Sequence, residues 1–332
     1  MNQPQLAVVI IGRNEGQRLV DCIQAVKALN YPAPDLELIY VDSNSTDNSP
    51  AHAEALGLQV IIVRSQHPTA ARGRNAGWQA ATAPFILFLD GDTLVEPNFV
   101  HQALPYFADP KVAMVCGHLQ ERYPNASIYQ RILNLDWHFP VGEVEFCGGL
   151  AVVRREVLEQ VHGFNSQLIA GEEPEMCQRI RALGYSVVRI DAPMAVHDLA
   201  IHTWSQYWQR AVRSGHAFAE VSNLLRHTTT PIWQREARKN RLHAGLLIGL
   251  FGAGLLFALW LSRWWPLIIS IIIYLLLSVR SAIKARSRSN NWITLLLYGI
   301  HAQFQHLPIA VGQLSFYYHH WRGKQRRLIE YK

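Results

Sequence analysis

Apolar residues fall in short blocks through the first ninety positions and in much longer ones after position 240. The blocks at 6–11, 36–41, 58–63 and 85–89 are five or six residues each; the first and last are unbroken, and the middle two carry one polar residue apiece, Glu37 and Gln59. Runs of that length predict strands covered on both faces, as in a parallel sheet. Between them, Leu19, Ile23 and Val26 recur at helical spacing, residues 42–49 are dense in helix N-cap residue types, and 70–83 reads as a loop leading into a helix. Strand alternating with helix over short connections predicts an α/β fold with a doubly wound, mostly parallel sheet.

Past position 92 the pattern changes. It predicts a helix over 99–107, a short strand at 112–116 and an aromatic, helix-like stretch over 123–139. A glycine-bearing loop then runs into a strand at 146–153, followed by helices at 154–161 and 176–183, a strand at 185–190 and an amphipathic helix over 204–225. No internal repeat is visible. Residues 242–261 contain only His243 as a polar side chain, and twenty residues rising 1.5 Å each cover about 30 Å, enough to cross a bilayer. Gly245 and Gly249 within it form a small-xxx-small pair suited to close helix approach. Only Ser262 and Arg263 precede a second apolar run at 264–279, so a transmembrane helical hairpin is expected. Residues 292–318 carry His301, Gln303, Gln305, His306, Pro308 and Gln313, and read as an amphipathic, interfacial or re-entrant helix. The expected organisation is a domain over 1–231 and a membrane region over 232–332 that ends in a basic tail.

Charge sharpens this division. From 232 onward there are 14 Lys and Arg against two acids, a net of +12, leaving 17 bases against 23 acids before it, a net of −6. Because the basic residues flank apolar runs, they argue for a cytoplasmic membrane signal and against nucleic-acid binding. The positive-inside rule then places both hairpin ends and the first domain in the cytoplasm. Four scattered cysteines without a CxxC pair suit a reducing compartment and suggest neither a disulfide framework nor a zinc site. Residues 1–5 are polar and the apolar run after them is six residues long, so no signal peptide is expected.

The chemistry-bearing residues cluster where strands are expected to end. Asp90 and Asp92 flank Gly91 directly after the 85–89 run. Two carboxylates there present oxygens either to a divalent cation holding a diphosphate or simply to a turn. Asn14, Glu15 and Asp42 follow the first two strands, with Asp42 also suited to capping the next helix. Arg74 lies at the mouth of the loop before a helix, suited to phosphate or to plain solvent exposure. Glu172, Glu173 and Glu175 are acids suited to the N-terminus of the helix that follows. Gly148 and Gly149 allow a close backbone approach or a simple turn.

The segments VVIIGRNEG (8–16), VDSNSTDNS (41–49), RGRNAG (72–77), FLDGDT (88–93) and GEEPEMCQRIRALGY (171–185) occur in one order and spacing. Together they resemble the family 2 inverting glycosyltransferases of GT-A fold, over roughly 6–225. The resemblance implies a metal-dependent hexosyltransferase of bacterial, membrane-anchored type that uses a nucleotide-sugar donor. Asn14, Glu15, Asp42 and Arg74 would line the nucleotide, Asp42 on the base and Arg74 near the phosphates, with Asp90 on the ribose. Asp92 would hold Mn2+ or Mg2+, with His197 as a further ligand and His202 as its fallback. Glu173 stands at the position of the family's catalytic aspartate, one methylene longer, which leaves the base between Glu173 and Glu172.

The processive synthases carry Gln-x-x-Arg-Trp, whereas this chain reads Gln206-Tyr207-Trp208-Gln209-Arg210. With two expected spans, that departure favours transfer of one sugar to a lipid-linked or surface-glycan acceptor, in polysaccharide biosynthesis at the cytoplasmic face of the inner (plasma) membrane. The alternatives are a processive polysaccharide synthase, a polyprenyl-phosphate glycosyltransferase, and a non-catalytic glycan- or nucleotide-binding scaffold.

Overall fold

The computed structural model describes residues 4–65 and 68–323; the basic tail lies outside the described residues. Its packing divides the chain into two compact units. The first comprises Met1–Arg122, Phe139–Leu199 and Thr228–Thr230; the second comprises Tyr123–His138, Ala200–His227 and Pro231–Lys332.

In chain order, the elements begin with β1 (Leu6–Gly12), α1 (Gln17–Lys27), β2 (Leu36–Asp42), α2 (Ser49–Ala55), β3 (Gln59–Ile62), α3 (Ala70–Ala80) and β4 (Phe85–Asp90). β5 (Thr93–Val95), α4 (Phe99–Ala103), β6 (Val112–Glu121), α5 (Ile128–Asn134), β7 (Gly142–Glu143), β8 (Ala151–Arg154) and α6 (Arg155–Gln160) follow. α7 (Glu172–Ala182), β9 (Ser186–His197), α8 (Trp204–Leu224), α9 (Gln234–Trp260), α10 (Trp265–Lys284), α11 (Trp292–Phe304) and α12 (His306–Trp321) complete the described chain.

The first unit is built on one sheet of order β3-β2-β1-β4-β8-β6-β9-β5, with β7 paired to β9. The four strands expected from the apolar blocks are its parallel half. Ala7, Val8, Val9 and Ile10 of β1 and Ile86, Leu87 and Leu89 of β4 are wholly buried, which explains why these strands read as continuous apolar runs rather than alternating ones. Beyond β4 the sheet is mixed: β8 runs antiparallel to both β4 and β6, while β6 and β9 are parallel.

Several boundaries differ from the sequence expectation. Thr69 caps α3 by accepting from the Arg72 N–H, so the helix starts at Ala70 and Arg74 lies inside it rather than in a preceding loop. Gly171 adopts φ 81°, which starts α7 at Glu172 instead of 176. The strand expected at 112–116 extends to Glu121 and that expected at 185–190 extends to His197, because the two pair with each other over that length. The helix-like stretch at 123–139 contracts to α5 and a single 3-10 turn at Leu135–Trp137.

In the second unit, α9 and α10 are, among the described residues, two helices long and apolar enough to cross a membrane. Only 22% of the most apolar stretch of each is buried, so their side chains face outward, unlike those of a core helix. The stretch expected as one interfacial helix at 292–318 is two helices, α11 and α12. The close helix approach expected at Gly245 and Gly249 is absent there, since no atom lies within 4 Å of a Cβ built at either position. Close approach occurs instead between α8 and α12. A Cβ at Gly215 would strike the Ile309 carbonyl, and one at Gly312 would strike that of Val212. Each glycine thus makes room for the other helix's backbone. Gly215→Leu is expected to cost about 1–3 kcal/mol by overpacking, seen as a lowered unfolding midpoint of the detergent-purified chain. Gly249→Ala, which meets open space, should leave the midpoint unchanged or raise it.

Candidate active site

The site begins at the carboxyl ends of β1, β2 and β4, where ligands of open α/β sheets bind. Asp90 ends β4, and the Gly91 N–H continues the pairing by donating to the Ile11 carbonyl at 2.8 Å. The residue between the two aspartates has a steric reason to be glycine: a Cβ at position 91 would lie 3.0 Å from Cγ of Glu15, and one at Gly12 would lie equally close. Glu15 therefore rests across the ends of both strands, where its carboxylate pairs with Arg18 at 2.8 Å.

Asp92 and His197 are brought together by sheet register. β5 starts one residue after Asp92 and pairs antiparallel with the end of β9, setting Thr93 opposite His197. The Asp198 N–H closes the pair by donating to the Asp92 carbonyl at 3.1 Å. Asp92 Oδ1 then lies 3.1 Å from His197 Nε2, with Asp92 buried. Asp90, Asp92 and His197 each offer a ligand atom, and these atoms all lie within 4.8 Å of one another. Two carboxylates and an imidazole suit Mg2+ or Mn2+, whose hard or borderline character favours oxygen donors. Asp90, which the resemblance assigns to the ribose, thus joins the two residues it assigns to the metal. His202 belongs to the second unit, where its N–H donates to Gln206.

Arg74 is the centre of a second arrangement. It is 4% exposed, and its guanidinium donates to Asp90 Oδ1 at 2.8 Å and to Glu172 Oε1 at 2.7 Å. It also lies 5.7 Å from the Phe164 ring centroid. A Cβ on Gly149, where φ is 100°, would come within 3.1 Å of its Nη2. The guanidinium is thus occupied by two carboxylates. Burial alone would lower its pKa, but Asp90, Glu172 and Glu173 outweigh burial and raise it, so the charge is permanent.

Glu173 holds the glycine-bearing loop. Its Oε1 accepts from the Cys147 N–H at 2.7 Å and from the Cys177 thiol at 2.9 Å, and its Oε2 accepts from the Gly148 N–H at 3.0 Å. Burial pushes its pKa above the ordinary 4.5, against the opposing pull of these donors and Arg74. Arg189 holds the same loop by donating to the Cys147 carbonyl at 3.0 Å, and it packs on Phe139 at 4.7 Å.

At the ends of β1 and β2, Asn14 takes φ 56° and accepts from the Thr46 N–H at 2.7 Å, joining the loops after the two strands. Asp42 is 1% exposed and accepts from the Tyr40 hydroxyl at 3.0 Å and the Ser45 N–H at 2.7 Å. It closes its own loop and does not cap α2, whose N-cap is Asn48. Sequence reasoning missed Arg189 and Asn75, whose side-chain amide donates to the Phe164 carbonyl and accepts from the Phe164 N–H. Arg189 carried a signal, since it is the lone charge among the apolar residues of 187–190.

A mixed sheet with a parallel N-terminal half and an Asp-Gly-Asp and histidine cluster at its edge defines a GT-A-type domain. The glycosyl transferase family 2 profile matches residues 7–161, and that of glycosyl transferase family group 2 matches 85–283. The chain belongs to glycosyltransferase family 2. It is 26% identical to glycosyltransferase AglE of Haloferax volcanii over 194 residues, covering 55% of this chain and 64% of that one. It is 23% identical to the probable glycosyltransferase YdaM of Bacillus subtilis, covering 63% of this chain and 54% of that one. The chain therefore spans between about half and two thirds of these curated relatives. The mannosyltransferase PcManGT from Pyrobaculum calidifontis, solved with GDP-Man and Mn2+, shares the fold with a TM-score of 0.62 at 18% identity, covering 95% of this chain and 88% of that one.

The buried Glu173 gives a pH test. A carboxyl with a raised folded-state pKa binds its proton more tightly when folded, so its contribution to stability falls as pH climbs from the unfolded carboxylate range through the raised value. Glu173→Gln has no such titration and loses one N–H acceptor. The gap in unfolding midpoint between the native chain and Glu173→Gln should therefore narrow between about pH 4 and pH 7. A pH-independent gap would contradict the raised pKa.

Proposed function

We propose that the protein transfers one sugar, with inversion, from a nucleotide-sugar donor to a lipid-linked or surface-glycan acceptor at the cytoplasmic membrane face. The observation that carries this reading is the convergence of Asp90, Asp92 and His197 within 4.8 Å at the carboxyl edge of the sheet. These residues would hold a divalent cation, which when bound neutralises the diphosphate and stabilises its departure. The loops carrying Asn14, Glu15 and Asp42 form the adjoining wall, suited to the base and ribose. Arg74, already committed to Asp90 and Glu172, acts by fixing Asp90 and adds permanent positive charge to that end of the pocket.

In an inverting transfer the acceptor hydroxyl attacks the anomeric carbon opposite the departing diphosphate, and a carboxylate takes its proton. Glu173 suits that role: burial raises its pKa toward the working pH, and two backbone N–H groups fix its orientation. Glu172, tied to Arg74, is next in line. Membrane attachment through α9 and α10 is supported by their outward apolar faces, and the basic residues at their flanks support the cytoplasmic orientation. Held at a bilayer, the site would meet a lipid acceptor at raised local concentration.

Detergent-purified protein with Mn2+ should release nucleoside diphosphate from at least one common nucleotide sugar. Asp92→Ala should lower turnover by at least about 100-fold, as loss of a main electrostatic stabiliser does. Glu173→Gln should lower kcat with little change in donor KM. Absence of metal-dependent turnover with any donor would overturn the transferase reading, and an unchanged Glu173→Gln together with a silent Glu172→Gln would move the base.

A further inference from the structure

Three of the four cysteines gather around Glu173. Cys177 lies one helical turn beyond it on α7, Cys147 lies in the glycine-bearing loop and Cys116 in β6, and all three are buried. The Cys147 thiol hydrogen-bonds with those of Cys116 and Cys177. Four-residue spacing puts Cys177 on the same face of α7 as Glu173, and its thiol donates to Glu173 Oε1 at 2.9 Å. Met114 Sδ lies 3.6 Å from the same sulfur, but a thiol has one proton and an ionised carboxylate is the stronger acceptor. Burial, with the charge of Glu173, pushes the Cys177 thiol up to about 12, so it keeps that proton at neutral pH.

The donors to Glu173 are unevenly divided between its two oxygens. A carboxylate oxygen offers about two lone-pair sites. Oε1 accepts from both the Cys147 N–H and the Cys177 thiol, which fills it. Oε2 accepts from the Gly148 N–H alone among the described residues, which leaves one site open. A buried cysteine commonly serves as a small apolar filler. A thiol aimed at a buried carboxylate does more, because its loss leaves an acceptor unsatisfied and disfavours the charged form. The other charged and titratable groups around Glu173 are Arg74 of α3, Glu172 paired to Arg74, Cys116, Cys147, and Arg189 of β9, which binds the Cys147 carbonyl. All of them stay in place when Cys177 alone is changed.

We propose that Cys177 is a positioning residue for deprotonation of the acceptor: with the Cys147 N–H it occupies Glu173 Oε1, and so assigns the acceptor's proton to Oε2. As the acceptor oxygen bonds to the anomeric carbon, its proton passes to Oε2. The bond from that carbon to the diphosphate breaks, its electron pair leaves on the phosphate oxygen, and Glu173 ends as the neutral acid. The inference rests on the reading of Glu173 as the base, and adds to it the reacting atom and the side chain that orients it.

The test titrates the Glu173 carboxyl by infrared spectroscopy in the detergent-purified full chain. The C=O stretch of the protonated acid is isolated by subtracting the Glu173→Gln spectrum, and no substrate is needed. Cys177→Ala should raise the titration midpoint by at least about half a pH unit, as loss of a hydrogen bond to a charged group does. Cys177→Ser, which restores a donor, should return it to the native value or below. The S–H stretch assigned to Cys177 should move to higher frequency in Glu173→Gln, where the acceptor carries no charge. With Mn2+ and GDP-mannose or UDP-glucose as donor, the acid limb of kcat should move up in Cys177→Ala by the same amount, with donor KM unchanged. An unmoved midpoint in Cys177→Ala, or a serine variant raised as far as the alanine one, would overturn the proposal. If the alanine variant unfolds, the S–H stretch decides, and a band unaltered by Glu173→Gln counts against the thiol. A Glu173→Gln variant that turns over like the native chain removes the base reading beneath the proposal, and the infrared midpoints tell that failure apart from a missing thiol bond.

Discussion

The buried guanidinium of Arg74 joins two parts of the first unit that the chain separates by 82 residues. It meets Asp90 at the end of β4 and Glu172 at the start of α7, while Gly149 leaves room beside it and Phe164 stacks near it. A 4% exposed cation is tolerable only when opposite charges surround it, and removing one partner of such a pair costs on the order of 3 kcal/mol or more. Because Asp90 is one of those partners, the position of the Asp-Gly-Asp segment depends on α7. The residues suited to the metal and those suited to the proton are thereby mechanically linked through one side chain.

The second constraint is sheet register. β5 contributes only three residues, yet its antiparallel pairing with β9 fixes Thr93 opposite His197 and so sets the imidazole beside Asp92. A one-residue slip would turn His197 to the other face. The mixed half of the sheet, which plays little part in the first four strands, exists at this point to deliver a histidine to a carboxylate pair. Glu173 and Arg189 then hold the 147–149 loop through its N–H groups and a carbonyl, which leaves that backbone little freedom next to Arg74.

Much of this was legible in the sequence because burial on both faces leaves an unmistakable mark. β1, β2 and β4 follow directly from their apolar runs, and the ligand-bearing residues follow from where those runs stop. Pairwise distances were not legible. Nothing local in Arg74 distinguishes a phosphate ligand from a buried strut, since its partners lie 16 and 98 residues away. The extension of β9 to His197 arises from pairing with β6 and β5, a tertiary effect that local periodicity does not encode. The same holds for α8 and α12: Gly215 and Gly312 look like ordinary helix-weakening glycines until each is seen against the other helix's carbonyl. By contrast the Gly245 and Gly249 pair had the right spacing and no helix within reach, because spacing alone specifies no partner.

The central claim is that Asp90, Asp92 and His197 form one divalent-cation site. Its most direct measurement is Mn2+ binding to the purified chain by electron paramagnetic resonance, with and without nucleoside diphosphate. The account predicts one bound Mn2+ per chain, tightened by the diphosphate and weakened at least about tenfold by His197→Ala and by Asp92→Asn. Mn2+ binding that is unaffected by both substitutions, with the fold intact, would contradict it.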